Sequence, residues 1–244
     1  MSQFTDPDTL FSSFNVYNQI RPMMGTYHVI DLQLENTSAI LEGTRISSIR
    51  HFHDAEWMKI MGKSLIYSCS RDPGALFGMA GSYHFSLVYS LPVTKLEGTD
   101  LLAGVTSSIS SFISGHTGSP VKLSGKVLEF PDPKIMSAFF LWKQNQNRDI
   151  TVQSMILEIL MNNGKTFEEA RETLITLGDT KSKLSVISEQ YDGSIPEWII
   201  NGLCAYWKMK GDSVVMSLNQ NIPSGPDFLS FMMEIFDQKS GNEK

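Results

Sequence analysis

The chain has 244 residues, of which 41% are hydrophobic and 19% are charged, and its formal net charge is −6. This composition is typical of a globular protein with a sizeable core. The negative charge argues against a nucleic-acid footprint over the whole chain, although a local basic strip is compatible with it. Two distant cysteines, Cys69 and Cys204, provide neither a disulfide framework nor a metal-binding spacing. We therefore expect a soluble, cytoplasmic protein that has no membrane partner and no membrane-spanning segment.

The first half of the chain mixes β-type runs with helical periodicity. Runs rich in β-branched and aromatic residues predict strands, and apolar residues at three- and four-residue spacing predict helices. The Ser124-Gly125 pair is typical of a hairpin turn because short β-type runs stand on both sides of it. In chain order, we predict a strand over residues 25–36, a helix over 54–70, a hairpin over 74–91, a helix over 98–116 and a hairpin over 121–132.

Helical periodicity dominates from residue 133 onward. We predict one or two helices over residues 134–164, a helix over 166–179, a helix or turn over 194–208, a strand over 212–221 and a closing helix over 226–238. The fold class is therefore predicted to be α+β. We predict a first domain over residues 1–132 and a mainly helical part over residues 133–244 that packs on it as one unit.

The tripeptide Gly164-Lys165-Thr166 raises the question of a phosphate-binding loop. Such a loop requires another glycine five residues before Gly164 and a strand before that glycine. Ile159 stands at that position, and the preceding segment has helical periodicity. Gly164 instead suits the left-handed residue that ends a helix, and Thr166 with Glu169 has the spacing of a capping box. The segment is therefore predicted to be a joint between two helices.

An ordered set of short motifs runs through the second half of the chain. An aromatic-Pro step comes first, followed by a tryptophan-containing helix, the Gly-Lys-Thr joint, a loop that ends in lysine, a proline and an Asn-Gly pair. These motifs are Phe130-Pro131, Leu141-Trp142-Lys143-Gln144, Asn163-Gly164-Lys165-Thr166, Gly178 to Lys183, Pro196 and Asn201-Gly202. In this order they resemble the tRNA-His guanylyltransferase family, and the resemblance extends over roughly residues 15 to 207.

The resemblance implies a ferredoxin-like, polymerase-type palm, which is an antiparallel sheet with helices on one face. The layout of the N-terminal half agrees, because residues 25–36 resemble the family's first palm strand and residues 78–89 its central hairpin. Members of this family add a nucleotide to the 5′ end of tRNA. They activate that end with a nucleoside triphosphate and use two divalent metal ions.

The carboxylates that hold the two metal ions in the family are missing from the matching positions. Gln33 stands where the resemblance implies an aspartate on the first strand, and Tyr83 stands where it implies a second aspartate. Neither supplies the anionic oxygen that Mg²⁺ prefers. Asp31 and Glu35 lie on the same face of the predicted strand as Gln33, so a two-residue shift could substitute one of them. His84 is either a phosphate or base contact or a hairpin residue bonded to a neighbouring carbonyl.

We therefore expect no bound metal and no cofactor, and Mg²⁺ with GTP or ATP only if activity is retained. Four cationic residues match cationic or polar positions of the family's motifs and are candidates for contacts to nucleotide or RNA phosphates. Solvated surface cations are the alternative interpretation of each. The four residues are Lys126, Lys143, Arg148 and Lys165.

A second candidate metal site is the run that contains His51, His53, Asp54 and Glu56. The two histidines could hold zinc if they lie on a strand or a loop and a third ligand comes from elsewhere in the chain. The alternative is the polar beginning of a helix.

Three functions are compatible with the sequence. The first is a non-catalytic relative of the tRNA-His guanylyltransferases that binds nucleotide or RNA, or serves as a structural subunit beside an active paralogue. The second is a divergent nucleotidyltransferase that uses Asp31 or Glu35, with His84, on tRNA or another nucleotide substrate. The third is an interaction protein with no nucleotide role. The resemblance also implies assembly into a homo- or hetero-oligomer.

Overall fold

The first half of the chain mixes strands and helices, and helices predominate in the second. The computed structural model describes residues 26–72, 74–90, 98–190, 195–211 and 213–240, so residues 1–25 of the predicted first domain lie outside the described residues. The strands in these ranges are β1 Tyr27–Leu34, β2 Ala75–Ala80, β3 His84–Ser90, β4 Leu123–Phe130, β5 Leu203–Lys210 and β6 Ser213–Asn219. The helices are α1 Thr37–Gly43, α2 Ala55–Arg71, α3 Gly98–Thr117, α4 Pro133–Asn162, α5 Phe167–Thr176, α6 Thr180–Gln190, α7 Glu197–Asn201 and α8 Pro226–Ser240.

The strands form one antiparallel sheet in the order β4-β1-β3-β2-β5-β6. Successive side chains of a strand point to opposite faces, and β1 buries both of its faces. Ile30 and Leu32 belong to a hydrophobic layer that includes α2 and α3. Val29 belongs to a second layer, which includes α4 and α8. The sheet is therefore covered by helices on both sides.

The predicted α+β class and antiparallel palm are confirmed. Helices α2 and α3 cover one face of the sheet, as in the predicted palm, and α4 and α8 from the C-terminal part cover the other. The C-terminal part also contributes β5 and β6 to the sheet. A third, smaller cluster of buried residues joins the end of α4 to α5 and α6. The division of the chain at residue 132 stays a prediction.

Residues 121–132 do not form the predicted hairpin. Their β-type residues form the single strand β4, which pairs with β1 along its whole length. Gly125 lies opposite Leu32, and a Cβ atom at this position would clash with the side chains of Leu32 and Leu102. The glycine therefore allows the close approach of β1 and α3 and does not mark a turn.

The predicted helix or turn over residues 194–208 is correct only for its first part. Helix α7 ends at Asn201, and β5 begins at Leu203. β5 pairs on one side with β2, which lies far earlier in the chain, and on the other with β6, the next strand. Gly202, with a φ of 83°, separates the helix from the strand, and the predicted helix or turn extends past it.

The joint between α4 and α5 has the predicted form. Helix α4 is one continuous helix of 30 residues. Gly164 follows it with a φ of 88°. The side chain of Thr166 accepts a hydrogen bond from the Glu169 backbone, and the Glu169 carboxylate accepts one from the Thr166 backbone at 2.8 Å. The Gly-Lys-Thr letters thus mark a left-handed residue followed by a capping box.

In the described part of the chain, no helix combines the length and the apolar character that crossing a membrane requires.

A buried asparagine on α4 holds the turn between β2 and β3. Asn147 Oδ1 accepts a hydrogen bond from the Ser82 backbone N–H at 2.7 Å, and its Nδ2 donates to the Ile200 carbonyl at 2.8 Å. From the other side, Trp57 of α2 donates from Nε1 to the Ser82 carbonyl at 2.9 Å. The turn is therefore held between two helices, and α4 is tied to α7.

Replacing Asn147 with alanine should destabilise the protein by about 1–3 kcal/mol, because the buried Ser82 N–H loses its partner. Urea unfolding at neutral pH measures this loss. The matched control is Asn145→Ala on the exposed side of the same helix, which should change the free energy of unfolding by less than about 0.5 kcal/mol. Equal losses in the two variants would contradict the role given to Asn147.

Candidate functional site

The register of the sheet collects polar residues on the face that α4 covers. Asp31 on β1 lies between Ser86 on β3 and Lys126 on β4. Two residues further along β1, Gln33 lies between His84 and Ser124. Residues two apart on a strand share a face, so these positions continue the face that Val29 begins. The hydrophobic layer between the sheet and α4 is therefore replaced by polar groups at this end.

Asp31 forms a buried ion pair with Lys143 of α4. Lys143 Nζ lies 2.9 Å from Asp31 Oδ1 and 3.3 Å from Oδ2. Ser86 Oγ donates a second hydrogen bond to Oδ1 at 2.7 Å. The exposed fractions are 8% for Asp31 and 6% for Lys143. With so little solvent, each charge depends on the other for its stabilisation.

A cavity of about 330 Å³ opens beside this ion pair. We call it the polar cavity. Its described lining contains two lysines, one aspartate and one tryptophan, and Lys143 Nζ lies 5.7 Å from the centre of the Trp142 ring. Cations beside an aromatic ring suit a phosphate and a base. The described lining residues are Asp31, Gln33, Ser124, Gly125, Lys126, Trp142, Lys143 and Gln146.

The donor set of the polar cavity does not fit a pair of divalent cations. Asp31 is the only carboxylate among the described lining residues, and Lys143 already neutralises it. Gln33 is exposed on the cavity wall and carries no charge. Tyr83 packs with Phe52 at a ring distance of 4.9 Å and is not among the described lining residues. Two metal ions would need several anionic oxygens at this point.

His84 is buried and lies opposite Gln33, which lines the polar cavity. Burial lowers the pKa of its imidazole well below the usual 6.5, and the nearby Lys143 cation lowers it further. The ring is therefore neutral at physiological pH. Its Nε2 atom has no hydrogen-bond partner among the described residues. For the neighbouring Tyr83 the direction is the opposite: burial raises the pKa of its hydroxyl, while its hydrogen bond with Ser154 acts to lower that pKa.

The remaining candidates lie elsewhere. Glu35 is exposed and follows the end of β1. Arg148 donates from Nη2 to Asn201 Oδ1 at 2.5 Å, which directs it toward α7. Lys165 is exposed at the joint between α4 and α5, where its Nζ donates to Thr173 at 2.8 Å. Of the four cationic candidates, the structure thus brings Lys126 and Lys143 together in the polar cavity.

Sequence reasoning overlooked Ser86, which completes the hydrogen bonding of Asp31. The available signal was its position two residues after His84, on the same face of a predicted strand.

A larger cavity, of about 470 Å³, lies between α2 and α3, where Tyr67 and Asp100 are among its described lining residues. It is on the opposite side of the sheet from Asp31 and holds none of the predicted site residues. The polar cavity is the better functional candidate, because it contains a buried charged pair beside open space.

No protein-family model and no curated protein sequence matches the chain. Its fold nevertheless is the palm-type α+β fold of the tRNA-His guanylyltransferases, as solved structures show.

One of these structures is a bacterial tRNA(His) guanylyltransferase-like protein in complex with ATP, with a TM-score of 0.64, 11% identity and coverage of 93% of this chain and 96% of that one. A second is a bacterial protein of the same description in complex with GTP, with a TM-score of 0.62, 10% identity and coverage of 95% of each chain. A third is tRNA(His) guanylyltransferase from Saccharomyces cerevisiae, with a TM-score of 0.60, 12% identity and coverage of 85% of this chain and 94% of that one. At identities of 10–12%, the similarity to these structures shows the fold alone.

The ion pair can be tested by a double-mutant cycle with Asp31→Asn and Lys143→Met. Each single variant should lose about 3–5 kcal/mol of stability, because it leaves the other charge buried without a partner. The double variant should lose less than the sum of the two, with a coupling of roughly 1–3 kcal/mol. Urea unfolding of the four proteins measures the coupling. Strictly additive losses would show that the two charges do not interact.

His84 should make the protein less stable in acid. Its pKa is lowered in the folded state, so below pH 6.5 the unfolded chain binds a proton that the folded chain does not. The stability is therefore full above pH 6.5 and falls as the pH drops toward the folded pKa. Denaturant unfolding between pH 7 and pH 5 should give a slope that is shallower in His84→Gln, by up to about 1.4 kcal/mol per pH unit. An unchanged slope would exclude this contribution.

Proposed function

We propose that this protein is a catalytically degenerate relative of the tRNA-His guanylyltransferases. In this proposal the polar cavity binds the phosphate and base of a nucleotide or of an RNA end. The protein then acts as a binding module or as a structural subunit beside an active paralogue. The observation that carries the proposal is the ion pair between Asp31 and Lys143.

The ion pair argues against two-metal catalysis because of its energetics. Asp31 would have to exchange Lys143 for a divalent cation before it could serve as a metal ligand. That exchange would leave a lysine with an exposed fraction of 6% without its counter-ion. An unpaired buried charge costs about 3–5 kcal/mol. Gln33 cannot compensate, since an amide oxygen carries no negative charge.

Features of the polar cavity that favour ligand binding are independent of catalysis. Lys126 is half-buried on β4 and has no carboxylate within ion-pair distance among the described residues. Its charge is therefore available to a phosphate oxygen. The Trp142 ring in the lining offers a surface on which a base can stack. Two of the solved structures with this fold contain ATP or GTP, which is the same class of ligand.

A divergent enzyme is the alternative, with Asp31 or Glu35 and His84 as its site and Mg²⁺ with GTP or ATP as cofactors. Asp31 lines the polar cavity, whereas Glu35 lies beyond β1 and His84 is buried and neutral. The purified protein should not add nucleotides to monophosphorylated or triphosphorylated tRNA in the presence of GTP, ATP and Mg²⁺. Template-dependent addition at the 5′ end, lost in Asp31→Ala, would overturn the proposal in favour of the enzyme.

Ligand binding is tested by thermal melting with GTP, ATP or 5′-phosphorylated tRNA. A ligand at about 100 times its dissociation constant adds roughly 2.7 kcal/mol to the stability of the native state. For a chain of this size, that corresponds to a rise in Tm of about 5–10 °C. The rise should be reduced at least severalfold in Lys126→Ala.

The control for that measurement is Lys122→Ala, which removes an exposed lysine just before β4 and should retain the wild-type response. A protein whose Tm responds to none of the three ligands would instead be an interaction protein without a nucleotide role.

The proposal extends to location and partners. A cytoplasmic location, assembly into a homo- or hetero-oligomer and association with an active paralogue are predictions that accompany the tRNA-related function.

A further inference from the structure

Two histidines and a glutamate converge at a point remote from the polar cavity. His51 Nε2 lies 3.1 Å from Glu158 Oε1, and His53 Nε2 lies 2.8 Å from Glu158 Oε2. One potential ligand atom from each of these residues lies within 4.8 Å of the others. His51 and His53 precede α2, whereas Glu158 belongs to α4. We call this group the His-His-Glu cluster.

The segment that carries both imidazoles is fixed by contacts that do not involve Glu158. Phe52 stands between the histidines and is buried against Trp57, at a ring distance of 4.8 Å. The two imidazole rings are stacked at 5.1 Å with an angle of 9° between their planes. Asp54 Oδ2 accepts hydrogen bonds from the backbone N–H of Arg50 at 2.6 Å and of His51 at 2.8 Å. These contacts fix the segment before α2.

The two carboxylates closest in sequence to the histidines, Asp54 and Glu56, already have other partners. Asp54 is engaged with the backbone before α2, and Glu56 forms an ion pair with Lys59 at 2.5 Å. Glu158 approaches from α4 and meets both histidines. Glu158 is thus the candidate for the ligand from elsewhere in the chain that the two histidines require.

The spacing of the cluster suits a small transition-metal ion. Zinc binds imidazole nitrogen and carboxylate oxygen at about 2.0–2.2 Å, so neighbouring ligand atoms of a tetrahedral site are about 3.3–3.5 Å apart. Each histidine nitrogen approaches a different oxygen of Glu158, at 3.1 Å and 2.8 Å. One ligand atom from each residue lies within 4.8 Å of the others, so a bound ion would draw the three side chains together. His53 is buried, and its Nε2 atom faces Glu158; a metal ion would take the place of the proton that this contact now shares.

We propose that the His-His-Glu cluster binds one divalent transition-metal ion of the zinc type, with His51, His53 and Glu158 as ligands. Two imidazoles favour zinc-like ions over Mg²⁺ or Ca²⁺, which prefer oxygen ligands. His51 is 36% exposed, and this leaves a fourth position open to water. The ion ties the segment before α2 to α4. It thereby braces Phe52, which contacts Tyr83 beside the β2–β3 turn.

The test uses the untagged full-length protein, freed of metal and titrated with ZnCl₂ by calorimetry at pH 7.5. The wild type should bind one Zn²⁺ and melt at a higher temperature with it, whereas Mg²⁺ at the same concentration should have no effect on melting. His51→Gln and Glu158→Gln should each weaken Zn²⁺ binding at least about tenfold. Both residues are partly exposed, so these variants are better suited to the test than changes at the buried His53.

Two matched controls remove residues of the same type outside the cluster. His116→Gln alters an exposed histidine on α3, and Glu56→Gln alters the neighbouring carboxylate that pairs with Lys59. Both should bind Zn²⁺ as the wild type does. The proposal is overturned by the absence of Zn²⁺ binding, by wild-type affinity in both cluster variants, or by an equal loss in the controls. Nucleotide binding at the polar cavity is a separate readout, so each of the two proposals can fail alone.

Discussion

Helix α4 presents a line of polar side chains to the end of the sheet, and the buried ion pair of Lys143 with Asp31 stands at its beginning. One turn further, Asn147 and then Thr151 hydrogen-bond with Ser82. Glu158 continues the line to the two histidines before α2. Residues three or four apart share one face of a helix, so one orientation of α4 satisfies all these contacts. The polar line therefore fixes how α4 lies on the palm.

The same polar line also bears on the metal-dependent chemistry that the family resemblance implies. A palm can host catalysis only if its carboxylates are free to hold metal ions, because function resides in the site and not in the fold. Here Asp31 is committed to Lys143, and Gln33 beside it is neutral. Lys143, which pairs with Asp31, also lines the polar cavity, together with Lys126 and Trp142. The proposed binding function rests on these two cations and the aromatic ring in the lining of the polar cavity.

Local signals account for the parts of the fold that the sequence predicts well. The capping box at Thr166, the strand around Asp31 and the closing helix of the chain are each specified by residues within a few positions. The prediction for β4 failed because its partner β1 lies far away in the chain. The prediction for β5 failed because the pattern of α7 was extended past Gly202. At Ser124-Gly125 the local pattern favours a turn, whereas contact with Leu32 and Leu102 explains the glycine.

The sequence by itself determined which side chains exist at the decisive positions. It supplies Gln33 and Tyr83, at positions where the family resemblance implies aspartates, and it provides the two histidines at 51 and 53. Only the tertiary structure decided their partners: Lys143 for Asp31, and Glu158 for the histidines. The physical reason is that periodicity and capping depend on neighbours within one or two turns. Ion pairs and ligand sets depend instead on sheet register and helix packing, which bring distant segments together.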